Sequence, residues 1–206
     1  MSDSLVSARL WRLTALGLLI AFGVVIGSGL LIASGLAPRA NQMLLMSLDD
    51  RWSIDSGTID AGRLELHPTG LALHPIGVTE FTFQVRVTTN DATIGAGLIV
   101  RARDRDNFVA FLISGDGYFS LGEMRAGVWL DRSPWREWPH IRRMAANLLR
   151  AECAGSGCVF FVNDERTWAA TDLPDGPSIG LLARVASADR SSLAVFDQIA
   201  VWQVPH

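Results

Sequence analysis

With two cysteines among 206 residues, the chain is too poor in thiols for a disulfide framework. Their C-x4-C spacing has no second ligand pair nearby, which argues against a zinc site. The four histidines, His67, His74, His140 and His206, show no H-x-H or H-x-x-x-H spacing, so no transition-metal centre is expected. A G-x-S-x-G elbow is missing, and with it the usual setting of a serine nucleophile. Carboxylates occur singly or in turns, at Asp104, Asp106, Asp116, Asp131, Glu165, Asp172 and Asp175. They never form the E-x-D-x-x-E strand that sets acids on one face for glycoside hydrolysis. Glu152 is an exception, mid-strand beside Arg150 on the same face, where a solvated ion pair is expected. The net charge is −3 and the arginines are scattered, which excludes nucleic acid as a partner. Arg101, Arg103 and Arg105 fall on alternate positions of one strand end and read as a solvated or ion-paired face. Internal repeats and low-complexity tracts are also lacking.

What the chain does have is one long apolar run. Residues 13–37 carry no charged side chain. As a helix of about 25 residues they would rise roughly 37 Å, enough to cross a hydrocarbon core of about 30 Å with some tilt. A cleavable signal peptide normally has an apolar core of about 7–15 residues, and Ala37-Pro38 is a poor cleavage site, so an uncleaved anchor is expected. Arg9 and Arg12 precede the run and Arg39 follows it, which by the positive-inside bias makes residues 1–12 a cytoplasmic tail. Residues 38–51 read as a juxtamembrane connector. Residues 52–206 read as a single extracytoplasmic domain, about 150 residues being enough to bury one core. Gly23-Val24-Val25-Ile26-Gly27 is a G-x-x-x-G motif, and Gly23 and Gly27 would let the helix pack against itself or against another membrane subunit.

From Trp52 onward no helical period persists, and strand signals recur between turn residues, as in a sandwich. Phe81, Phe83, Val85 and Val87 alternate with Thr82, Gln84 and Arg86, the pattern of a strand with one face in a core. Residues 98–121, LIVRARDRDNFVAFLISGDGYFSL, read as three strands joined by turns at Asp104-Arg105-Asp106-Asn107 and Gly115-Asp116-Gly117. Further strands are expected at 147–153, 158–163, 179–185 and 193–202, and residues 135–146 are the one stretch able to hold a helical turn. Cys153 and Cys158 flank Ala154-Gly155-Ser156-Gly157, a good hairpin loop. If they face each other across it, Ala151 falls opposite Phe160 and Leu149 opposite Val162, aligning two apolar pairs. A disulfide there fits an oxidising compartment outside the cytoplasm; the alternative is two free buried thiols. Calcium is the one metal with candidate ligands, Asp104 and Asp106. Against it, Arg105 sits inside that turn, and turn capping is the rival role for both aspartates. No other cofactor is expected.

Residues 98–121 also resemble a known family, the laminin-G and concanavalin A-like jelly rolls, especially the branch of 3-keto-disaccharide hydrolase-like domains. That branch carries an "fRa-d-nf-f-I-dG-y-l" segment. Trp129 and Trp135 stand where the relatives have a paired "g-w … l-W" segment. Asn147-Leu148-Leu149-Arg150 resembles their "N-L-v" strand entry and Phe160-Phe161-Val162-Asn163 their "f-y-V-N-G". Gly180-Leu181 and Phe196-Asp197 resemble "vGl" and "v-FDN". Two departures stand out: Asp164 replaces the glycine after Asn163, and Gln198 replaces the asparagine after Asp197. The resemblance implies an all-β, antiparallel jelly-roll β-sandwich with Trp129 and Trp135 at core positions, behind the one N-terminal transmembrane α-helix read from residues 13–37. Related sandwiches often bind calcium at loop rims. The family name does not carry disaccharide hydrolysis to this chain, because fold does not fix function.

Six of the seven tryptophans lie from Trp52 onward. Indole faces stack on the apolar faces of sugar rings. Most of the six, Trp129, Trp135 and Trp202 among them, read as packing residues, and Trp138 and Trp168 are the candidate ligand platforms. The functional expectation is a membrane-anchored, extracytoplasmic, lectin-like and non-catalytic module for a glycan or cell-envelope polymer. The alternatives are a structural or accessory subunit of a membrane complex, and a hydrolase acting on a modified disaccharide.

Overall fold

The computed structural model describes residues 43–46, 51–185 and 192–203, and every regular element among them is a strand. The expected span at 13–37, with Gly23 and Gly27, lies outside the described residues; among those described, no helix is long and apolar enough to cross a membrane. The strands are β1 (Met43–Met46), β2 (Ser53–Asp60), β3 (Arg63–Pro75), β4 (Phe81–Thr89), β5 (Gly95–Asp104), β6 (Asn107–Ser114) and β7 (Tyr118–Arg125). They continue with β8 (Val128–Glu137), β9 (Asn147–Ala154), β10 (Gly157–Val162), β11 (Glu165–Ala170), β12 (Ser178–Arg184) and β13 (Ala194–Gln203). The hydrogen-bonded order is β11-β10-β9-β4-β13-β3-β12-β5-β6-β7-β8, with β1 beside β13 and β2 beside β3.

This ladder curls over on itself, and β3 is where it turns. Residues 64–66 of β3 pair with β13, whereas residues 71–75 pair with β12. Between them lies His67-Pro68-Thr69-Gly70, with Thr69 at φ +66°, a conformation β-branched residues rarely take. A local break of this kind lets one strand pass from the first layer to the second. Layer one is β11-β10-β9-β4-β13, and layer two is β12-β5-β6-β7-β8.

The main core lies between the layers. Phe81, Phe83, Val85 and Val87 of β4 all point into it, as their alternation predicts. Phe111 of β6 and Phe160 of β10 stack with centroids 4.8 Å apart and planes 13° from parallel, joining the layers through two fully buried rings. Cys153 and Cys158 form a disulfide across the β9–β10 hairpin, and the expected register holds, with Ala151 against Phe160 and Leu149 against Val162. Closing so short a loop contributes about 2 kcal/mol by loop entropy. Residues 135–146 hold no helix. Trp135, Arg136 and Glu137 complete β8, and the turns beyond are pinned by Asn147. Its side-chain carbonyl accepts from the Arg142 N–H at 2.8 Å, and its amide donates to the carbonyls of Arg142 and Ala145 at 2.9 Å each.

Candidate functional site

Layer two is apolar on both faces. Ala96, Leu98 and Val100 of β5 enter the main core, while Ile99 joins Phe108, Ala110, Leu112 and Leu182 in a smaller cluster on the other side. That outer side is hollow. Trp135 of β8 touches Gly95 of β5, where an added Cβ would lie 3.0 Å from the indole. The Arg184 guanidinium on β12 stands 4.2 Å from the Trp129 ring centroid on β8. On a flat sheet those pairs of strands would be about 14 and 19 Å apart, at about 4.8 Å per strand. Side chains of this length meet only across a concave surface. Gly122 provides the room: a Cβ there would fall 1.9 Å from Cζ2 of Trp129, so the indole fills the space a side chain would take.

The result is a cleft of about 510 Å³ lined by Thr93, Ser114, Asp116, Tyr118, Trp129, Asp131, Trp135, Arg184 and Val185. Trp129 is fixed on both sides: its Nε1–H donates to Oδ1 of Asp131 at 2.8 Å, and Arg184 covers one ring face. Trp135 is 44% exposed and Tyr118 36%, so these are the aromatic surfaces open to a ligand. The Ser114 hydroxyl donates to Oδ1 of Asp116 and receives the Tyr118 N–H at 3.2 Å. Asp116 and Asp131 thus each have one oxygen engaged, and the second can accept from hydroxyls. The Arg184 guanidinium makes no hydrogen bond or ion pair among the described residues, and Arg184 lines the same space. At the rim, Asp91 accepts from the Ser192 hydroxyl at 2.6 Å and from the N–H and hydroxyl of Thr93 at 2.7 and 2.8 Å. These bonds hold the Asp91 carboxyl below the usual carboxylate range and fix the loop that carries Thr93.

Trp138 and Trp168 stand elsewhere. Both are half-buried against the main core. Trp138 meets Phe119 edge-on at 6.2 Å, with its Nε1 buried. Trp168 lies 6.1 Å from Phe119, under the Arg136 guanidinium at 5.1 Å. Neither lines the cleft, whereas Trp129 and Trp135, placed in the core by the resemblance, do. Oδ1 of Asp104 accepts from the side-chain amide of Asn107 and the N–H of Asp106, each at 2.8 Å. Those two bonds hold its carboxyl below the usual range, which is the capping role. Among the described residues no group of three or more side chains is placed to hold a metal ion. Arg150 pairs with Glu152 at 3.3 Å and with Asp164 at 2.8 Å; the expected pair forms, but with Arg150 only 12% exposed it is not a solvated one.

No protein-family model and no curated protein matches the chain. Solved structures do match. The carbohydrate-binding module CBM66 from Bacillus subtilis superposes with TM-score 0.59 at 16% identity, over 75% of this chain and 97% of that one. The exoplasmic/lumenal domain of VIP36, in its Ca2+/Man3GlcNAc-bound form, gives 0.55 at 15% identity, over 76% and 84%. The GH43 protein BlXynB from Bacillus licheniformis gives 0.58 at 13% identity, over 76% of this chain and 37% of that one. The domain therefore has the concanavalin A-like jelly-roll fold.

Proposed function

We propose that the domain is a glycan-binding module whose seat is the Trp129–Trp135 cleft. The observation that carries this reading is Trp135, a large indole left 44% exposed beside Tyr118 and ringed by Asp116, Asp131 and Arg184. A sugar ring offers an apolar C–H face to an indole and a hydroxyl rim to carboxylates and a guanidinium, so it satisfies both halves of this lining. The cleft volume, about 510 Å³, falls among small-ligand sites of about 300–1,000 Å³. Two neighbours of the same fold support the class of ligand, one being a carbohydrate-binding module and the other a domain solved with Man3GlcNAc.

Binding without turnover is the preferred form. Asp116 and Asp131 are both exposed and each already accepts one hydrogen bond, from the Ser114 hydroxyl and the Trp129 indole N–H, which suits them to hold sugar hydroxyls. The hydrolase reading rests on one observation, that these two carboxylates share the cleft. The module is held at the outer face of a membrane by residues 13–37, with its N-terminus in the cytoplasm. Two features support that placement: the uncharged run itself, and the Cys153–Cys158 bond, of a kind that persists in oxidising compartments.

The test is a glycan array probed with the full-length chain in mild detergent, beside Trp135→Ala. The wild type is expected to bind, and the variant to lose about tenfold or more in affinity. An unchanged profile in Trp135→Ala removes the cleft as the seat. Release of reducing ends from the bound glycan, abolished by Asp116→Asn, would establish the hydrolase instead.

A further inference from the structure

Arg101 breaks the pattern of its strand. Arg103 and Arg105 are exposed as alternation predicts, but Arg101 is 2% exposed. The β5–β6 pairing is irregular between Val100 and Asp104, and Arg101 itself takes φ +52°. A bulge of this kind re-aims a side chain. The chain on the other side is built to match, since a Cβ on Gly176 would lie 2.3 Å from the Arg101 carbonyl oxygen. One terminal nitrogen of the guanidinium donates to the Gly155 carbonyl in the disulfide hairpin. The other stands 3.5 Å from Asp175, whose side chain is 91% exposed. Nε is buried with no hydrogen-bond partner.

A cation so thoroughly desolvated is normally matched by a close, equally buried anion. Here the protein supplies one loose carboxylate at the surface. Glu123, on the wall of the same space, is committed elsewhere, to Arg125 at 2.8 Å and Arg132 at 2.6 Å. Arg101 and Asp175 line a cavity of about 190 Å³, shared with Arg103, whose exposed guanidinium also acts on the neighbouring Asp104 carboxylate. A guanidinium offers several N–H donors in one plane, which match the oxygens of a carboxylate.

We infer that this cavity is a second binding site, for a carboxylate group, seated on Arg101 and Arg103. It is distinct from the cleft: β6 runs from Asn107 at the cavity to Ser114 at the cleft, a strand length of about 20 Å. Asp175 occupies part of the seat in the empty protein and competes with the ligand. The carrier is an acidic sugar, a step that rests on the glycan reading, whereas the carboxylate site itself does not.

The arginine Nε–H resonances of the full-length chain in detergent micelles read the site directly. They would be titrated at constant ionic strength with galacturonate, galactose and acetate. The Arg101 signal, assigned by its loss in Arg101→Gln, is expected to shift saturably with galacturonate and acetate and to ignore galactose. Arg103→Gln, an exposed change that leaves the fold alone, is expected to weaken galacturonate about tenfold. Asp175→Asn, which removes the competitor, is expected to tighten it about threefold or more. An equal response to galactose, or titrations unmoved by Arg103→Gln and Asp175→Asn, overturns the site while leaving the cleft assay untouched. A response to acetate with none to galacturonate upholds the carboxylate seat and overturns the acidic sugar as its carrier.

Discussion

Strands β4 and β6 lean on the same core from opposite sides, yet what they show to the outside differs. On the outer side of β4 and its neighbours stand Thr82, Gln84, Arg86, Arg150 and Glu152. Arg86 forks onto Asp197 through bonds of 2.6 and 2.8 Å. On the outer side of β6 and its neighbours stand Ala110, Leu112, Gly122 and Met124, small or apolar side chains with no charge to pair. A polar outer face can satisfy itself with hydrogen bonds and ion pairs even where, as at Thr82 and Gln84, it is buried. An apolar one must be covered, and this chain covers it with Trp129 while leaving Trp135 half open. The face proposed to bind is therefore the one whose outward-facing strand residues look least like a surface.

The comparison rests on a shared core, so the harshest way to break it is Phe111→Ala. That change removes the ring that stacks on Phe160 across the layers. It is expected to cost about 3–5 kcal/mol in urea unfolding. Arg86→Ala on the polar face is expected to cost about 1 kcal/mol or less, the bound for a partly exposed ion pair. Next in size is Gly122→Val. Its side chain would collide with the Trp129 ring, and overpacking of this sort costs about 1–3 kcal/mol. The displaced indole should also remove glycan binding. A variant that folds and binds as the wild type would show that Trp129 does not shape the cleft.

Layer one was legible from sequence because period two is unambiguous when one face is apolar and the other polar. Phe81 to Val87 and the cysteine register follow from adjacent residues, as in layer two does the turn capped by Asp104. The cleft was not legible. It depends on curvature that brings β12, β5 and β8 together, and on both faces of layer two being apolar, which hides the side that a tryptophan occupies. Arg101 escaped for a related reason, since one bulge shifts the alternation and turns a surface arginine inward. One local signal was available. Trp129 and Asp131 share a strand face, which sets a carboxylate within reach of the indole N–H, and a mid-strand glycine at 122 marks a close approach.

Acid sharpens the contrast at a smaller scale. Burial pushes the Glu123 carboxyl up, but hydrogen bonds from Arg132 and Arg125 more than offset this and leave it below its ordinary value of 4.5. A depressed folded value means the contribution is present above the unfolded pKa and is lost as pH falls through the folded one. Thermal stability should therefore hold down to about pH 5 and then fall, with a shallower acid limb in Glu123→Gln. Identical acid limbs in the two proteins would show that the triad with Arg125 and Arg132 contributes nothing to folding.

The smallest expected effect lies in layer one, at the point where the chain departs from the resembling family. Gln198 takes φ +51° beside the irregularity between Asp197 and Ala200 in β13. A left-handed residue with a long side chain is strained, and asparagine tolerates that conformation better because its short amide can bond locally. Gln198 is exposed, so little packing is lost by shortening it. Gln198→Asn should stabilise the domain by about 0.5 kcal/mol without touching glycan binding, because β13 belongs to the layer that carries no part of the cleft. The strained turn at Asn163 and Asp164, with φ +52° and +68°, makes the opposite case. There the departure from glycine brings in Asp164, which binds Arg150 at 2.8 Å. Asp164→Gly would relieve the backbone and remove that ion pair together, so a net change near zero, measured beside the gain in Gln198→Asn, would separate a compensated departure from an uncompensated one.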